Sequence, residues 1–144
     1  MNRPAVEVAA LRSTPFFAGL SEQDLDGIAS VGHPVGFAAG EAIVEAGDPG
    51  DAMYIVVDGS AEVDVGGRYH TLKAGDFFGE MALIASRRRM ATVKAAEDVS
   101  ALRIPADGFQ AFLLDHPRVA LSMMRALVDR LREVEQRIDA LMAQ

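Results

Sequence analysis

Short runs of alternating apolar and polar residues fill the middle of the chain, and stretches with apolar residues three and four apart flank them. At the start, Ala5 to Leu11 predicts a short helix that Pro15 stops. Ser21 reads as an N-cap with Asp24 in the first turn. Leu20 and Leu25 are placed as a hydrophobic staple, so a second helix runs to about Ser30. From Val31 the period changes to two. Val35 to Phe37, Ala42 to Val44, Met53 to Val57, Ala61 to Val65 and Tyr69 to Leu72 each fit a strand, and Phe77-Phe78 is a short apolar one. Asp58-Gly59 and Gly66-Gly67 supply tight turns, so the strands around them form a meander. Ala61, Val63 and Val65 are expected on one face, with Glu62 and Asp64 toward water. With Val93 to Ala95 and Val99 to Ile104 the count reaches about eight strands, which suits a mainly β fold, a closed or two-sheet jelly-roll barrel.

Pro105 ends the last strand and opens a helix to about Leu114. Asp115-His116-Pro117 breaks it, and a long helix follows from Pro117 to about Ala143. Ala120, Met124, Leu127, Leu131, Val134, Ile138 and Leu141 repeat at spacings of four and three, a heptad seam that predicts a homodimer through this helix. Leu121 and Val128 widen the stripe in the first half, enough to cover the open barrel face as well. The organisation expected is one domain over 1–144. Helices occupy 1–30, the barrel 31–104 and the C-terminal helices 105–144.

Polar binding chemistry concentrates in Gly79-Glu80-Met81-Ala82-Leu83 and Arg89-Met90-Ala91-Thr92. The glycine lets backbone approach a ligand, the carboxylate accepts from hydroxyls and the guanidinium suits a phosphate. A helical turn starting at Gly79 would aim the N–H groups near Met81 and Ala82 at an anion. After a polar turn through Ser86 and Arg88, Met90 to Ala95 reads as a strand with Arg89 at its entrance, able to reach the same anion. Glu80 would repel a bare phosphate and accept from a sugar hydroxyl, so the ligand expected is both sugar and phosphate.

Phe78 to Ile84, followed by Arg89 and Ala91-Thr92-Val93, resembles the phosphate-binding cassette, here residues 78–92, of cyclic nucleotide-binding domains. Glu45 to Val56 with Asp58-Gly59 is similar to the family's other signature, and the resemblance covers roughly residues 13 to 132. It implies that Glu80 holds the ribose 2′-OH and Arg89 the cyclic phosphate, and that the N–H groups of Gly79, Ala82 and Ala91 complete the shell. The family often has proline where this chain has Arg88, and a small or hydroxyl residue where it has Met90. A threonine or serine at the latter position is associated with a hydrogen bond to guanine, so Met90 leans the ligand toward cAMP, with cGMP the alternative. The resemblance further implies a sensor without catalytic activity or cofactor, whose C-terminal helices close over the base and signal to an effector.

Three of these residues carry two readings. Arg130, counted forward from Arg89, falls where channel-type members of the family place an arginine that caps the purine; it also stands at a g position of the heptad, able to pair with Glu135 across a dimer. Leu127 and Leu131 are alternative caps or plain seam residues. Leu72 lines the base pocket or belongs to the core. Arg87 and Arg88 read as a solvated charge run, whereas Arg89 is in register with Ala91-Thr92-Val93.

Composition bounds the rest. The net charge of −7 disfavours nucleic-acid binding by this chain, and the absence of cysteine excludes disulfides and thiolate metal sites. No run approaches the roughly 18 apolar residues of a membrane span, so a cytoplasmic protein is expected. His33, His70 and His116 are too scattered for the metal site of a cupin-like enzyme, the rival for a barrel of this kind. A third alternative is an interaction and dimerisation module with a vestigial pocket, against which a buried arginine beside a carboxylate would confer little net stability if unused.

Overall fold

A computed structural model describes the backbone of residues 3–85 and 87–143 and the side chains from Val8 onward, apart from Ser86; the turn expected at Ser86 lies outside these residues. Two helices, α1 (Arg3–Arg12) and α2 (Glu22–Val31), precede five strands: β1 (His33–Phe37), β2 (Ala42–Val44), β3 (Ala52–Asp58), β4 (Ser60–Val65) and β5 (Arg68–Lys73). Then come β6 (Phe77–Phe78), a 3₁₀ turn (Glu80–Leu83), β7 (Thr92–Ala95), β8 (Val99–Pro105), α3 (Ala106–Asp115) and α4 (Pro117–Met142). The Ser21 side chain accepts from the Asp24 amide at 3.1 Å, as an N-cap does, and Leu25 is buried one turn on. Gly59, Gly66 and Gly67 have positive φ, which the two hairpin turns need.

The strands form two four-stranded antiparallel sheets in the orders β1-β8-β3-β6 and β2-β7-β4-β5, a jelly roll. Strands β3 and β8 carry near-continuous apolar runs because both their faces are covered. Met53, Ile55, Leu102 and Ile104 join Phe17, Leu25, Ile28 and Phe109 in a core beneath the helices. Tyr54, Val56, Val99 and Ala101 turn the other way, into the barrel core with Ile43, Val63 and Val93. Alternation along one strand thus feeds two cores. Val65 departs from expectation: Ala61 and Val63 are buried, but Val65 is 45% exposed at the hairpin end, where the strand has run past the core.

The long helix corrects the sequence reading. Its docking face carries Val119 and Met123, both buried, whereas Leu121 and Val128 are exposed and do not cover the barrel. The face set by residues 119 and 123 continues to 126 and 130 at helical spacing, so the seam, one residue away around the axis, points to solvent. Met124, Leu127, Leu131, Val134, Ile138 and Leu141 are all exposed.

Phe109 is fully buried and its ring lies 6.1 Å from that of Phe17, joining α3 to the turn before α2. Phe109→Ala is expected to lower the unfolding free energy by about 3–5 kcal/mol, measured by urea denaturation.

Candidate functional site

The pairing of Phe78 with Tyr54 and of Phe77 with Ile55 fixes β6 alongside β3, and the chain then turns sharply at Gly79. Gly79 has φ +78°, and a Cβ there would collide with Arg89 Nη1 and sit 2.9 Å from the Ala52 carbonyl oxygen. Only glycine fits between these groups without strain. Glu80 opens the 3₁₀ turn and is half-buried. The Ala82 amide donates to the Gly79 carbonyl at 3.0 Å, so this amide, expected to face an anion, is engaged in the turn itself.

Arg89 is held from the other side. The loop before β3 exchanges backbone hydrogen bonds with residues 87–89: Gly47 N–H to Arg89 O, Arg89 N–H to Asp48 O and Gly50 N–H to Arg87 O, each 2.8 Å. The strand expected from Met90 begins instead at Thr92, and this loop rather than strand pairing positions Arg89. Its side chain is only 7% exposed. Nη2 donates to the Ala52 carbonyl at 2.8 Å, the guanidinium carbon lies 5.9 Å from the Tyr54 ring centroid, and Nε is buried with no partner among the described residues. Asp51 approaches Nη2 at 3.8 Å and Arg103 Nη2 at 3.4 Å, but its carboxylate is largely exposed, so screening leaves these pairs weak.

An open hollow of about 200 Å³ brings together Gly79, Glu80, Met81, Ala82, Arg89, Met90 and Ala91, seven of the residues singled out in the sequence. Val44, Val63, Phe78 and Val93 form its apolar wall. A buried cation with a free donor, a carboxylate and an apolar wall can accept a small molecule carrying an anion, hydroxyls and a flat apolar group. Arg87 and Arg88 also line the hollow, and Arg88 Nη1 donates to the Gly47 carbonyl at 2.8 Å, so Arg88 fastens the loop rather than merely facing water. Met90 is almost fully exposed at the mouth.

Two residues lie elsewhere. Leu72 pairs with Ala61 and is buried in the barrel core that it shares with Val63 and Val93, and it does not itself line the hollow. Arg130 lies over the Phe16 ring, 5.3 Å from its centroid, because it shares the docking face of Met123. Sequence reasoning gave no role to Asp51, Ala52 or Tyr54. All three stand in the quoted signature, but the carbonyl of Ala52 leaves no signal of its own, since any residue supplies one. Among the described residues no group of three or more His, Asp or Glu could hold a metal ion, and no helix is long and apolar enough to cross a membrane.

A model of the cyclic nucleotide-binding domain matches residues 34–116. The chain is 38% identical to the cAMP-dependent protein kinase regulatory subunit of Aspergillus fumigatus over 108 residues, 73% of this chain and 26% of that one. It is 31% identical to the cyclic AMP receptor protein of Thermus thermophilus over 137 residues, 91% of this chain and 63% of that one. In fold it is similar to the N-terminal domain of a transcriptional regulator from Streptomyces coelicolor, with a TM-score of 0.81 and 29% identity, covering 90% of this chain and 94% of that one. The chain thus spans about a quarter of the kinase subunit it matches.

Gly79→Ala should cost at least the roughly 1–2 kcal/mol of a left-handed alanine, with a further contribution from displacing Arg89. A urea midpoint equal to that of the unaltered chain would contradict the close approach described.

Proposed function

The chain belongs to the cyclic nucleotide-binding domain family, and we propose that it is a non-catalytic sensor that binds cAMP in preference to cGMP and passes occupancy on through its C-terminal helices. The observation that carries the reading is the Arg89 guanidinium: buried, fixed through Nη2, left with an unpartnered Nε donor among the described residues, and part of the lining of the hollow that Glu80 also lines. A cyclic phosphate placed there accepts from the guanidinium in a charge-assisted hydrogen bond, and Glu80 accepts from the ribose 2′-OH. The base lies against Val44, Val63 and Val93. Met90 brings no hydroxyl for a guanine amino group to bond, which supports cAMP over cGMP.

Transmission has a physical route. Gln110 Nε2 of α3 donates to the Leu83 carbonyl at the end of the 3₁₀ turn at 2.8 Å, tying the output helices to the cassette. A ligand that bonds the shifted cassette better than the unshifted one moves the population of α3 and α4 accordingly. The exposed seam of α4 supports a homodimer, since burying its apolar residues against a second copy satisfies the heptad spacing. The effector is a separate protein or domain, and the reading places the sensor in the cytoplasm.

Isothermal titration at physiological salt is expected to give tight binding of cAMP and weaker binding of cGMP. No heat with either would leave dimerisation through α4 as the better account of the chain. Arg89→Leu should lose about 3–5 kcal/mol of binding free energy, more than a hundredfold in affinity, while still unfolding cooperatively. Unaltered binding in that variant would overturn the site. Light scattering at tens of micromolar should report a dimer; a monomeric mass counts against the seam.

A further inference from the structure

The face of α4 that docks on the body buries Val119 and Met123 near the start of the helix, and beyond Met123 the helix has no buried residue. Two turns further along that face, Arg130 lays its guanidinium over the ring of Phe16 at 5.3 Å. Phe16 is itself buried, and its ring meets that of Phe77 at 5.9 Å and 58°. Phe77 belongs to β6, two residues before Gly79. A cation on one aromatic ring is thus joined through a second ring to the strand that delivers the cassette. The same contact keeps Arg130 on the N-terminal turn and out of the nucleotide hollow.

We propose that the Arg130–Phe16 contact is a latch that holds the free half of α4 against the N-terminal turn, and that the cassette loosens it through Phe77 when nucleotide binds. The latch stabilises the conformation in which the hollow is open. Releasing it frees α4 to close, so nucleotide binding and latch release favour one another. Its affinity readout rests on the nucleotide-sensor reading; its geometry does not. A cation on an aromatic ring at a partly exposed site corresponds to about a two- to fivefold shift in an equilibrium.

The test uses Arg130→Ala, on an exposed stretch of helix, and Phe16→Leu, which keeps an apolar side chain and removes the ring. Each should bind cAMP about two- to fivefold more tightly than the unaltered chain, and the double variant should gain nothing beyond either single one, because the two residues act as one contact. The chain has no cysteine, so spin labels at Thr71→Cys and Gln136→Cys report the distance from barrel to α4 directly. Without nucleotide, the Arg130→Ala change should shift or broaden that distance distribution. Weaker cAMP binding in Arg130→Ala would show that Arg130 touches the nucleotide, and would overturn the latch; so would unchanged affinity in both variants or additive gains in the double one. If the unaltered chain binds neither cAMP nor cGMP, the sensor reading falls. The spin-label distances then decide the latch alone, an unchanged distribution overturning it.

Discussion

A guanidinium removed from water is the constraint around which the barrel is arranged. Burying the charge of Arg89 costs several kcal/mol unless its donors are met, and only one nitrogen is met firmly, by the Ala52 carbonyl. That carbonyl is available because β3 begins there, and the loop before β3 grips residues 87–89 by their backbone, leaving the side chain little freedom to swing out to solvent. Gly79 completes the enclosure by leaving out the one carbon that would push the guanidinium away. The fold therefore bears a standing electrostatic cost, of the kind expected where a site is preorganised for an anion. Asp51 moderates the cost without cancelling it, since its carboxylate is too exposed to compete strongly.

The parts of the fold legible in the sequence are those fixed by neighbours a few residues away. The Ser21 cap, the glycine turns between β3, β4 and β5, and the stop at Pro105 are local in their physics and stand where expected. Seven of the residues singled out come together around the hollow, those from Gly79 to Ala82 through one local turn and those from Arg89 to Ala91 through the loop that grips them from before β3. What the sequence leaves open depends on distant partners. Leu72 has the same alternation whether its inward face meets a ligand or Ala61 and the barrel core. Arg130 sits at a spacing compatible with a cap, a dimer pair or an intramolecular contact, and only the docking of Val119 and Met123 chooses among them. The Ala52 carbonyl could not have been found, because backbone groups carry no residue identity.

That choice gives α4 two faces with different duties. One, through residues 119, 123 and 130, belongs to the body of the domain; the other, from Met124 to Leu141, belongs to no partner among the described residues. The heptad dominates the hydrophobic pattern and hides the docking face, which has only two buried residues, so that Leu121 and Val128 look like the side chains that cover the barrel. The contact of the far half of α4 with the N-terminal turn thus rests on one arginine and one ring.

The length of α4 turns this attachment into a question of leverage. From Met123 to the end at Met142 the helix runs about 28 Å, and Arg130 stands about 10 Å from the fulcrum. A tilt of about 10° moves the arginine by roughly 2 Å and the tip by roughly 5 Å, about one helical turn. A displacement small enough for two aromatic rings to absorb is thereby magnified before it leaves the domain, and whatever reads the far end of the helix meets a change large enough to alter which residues it touches.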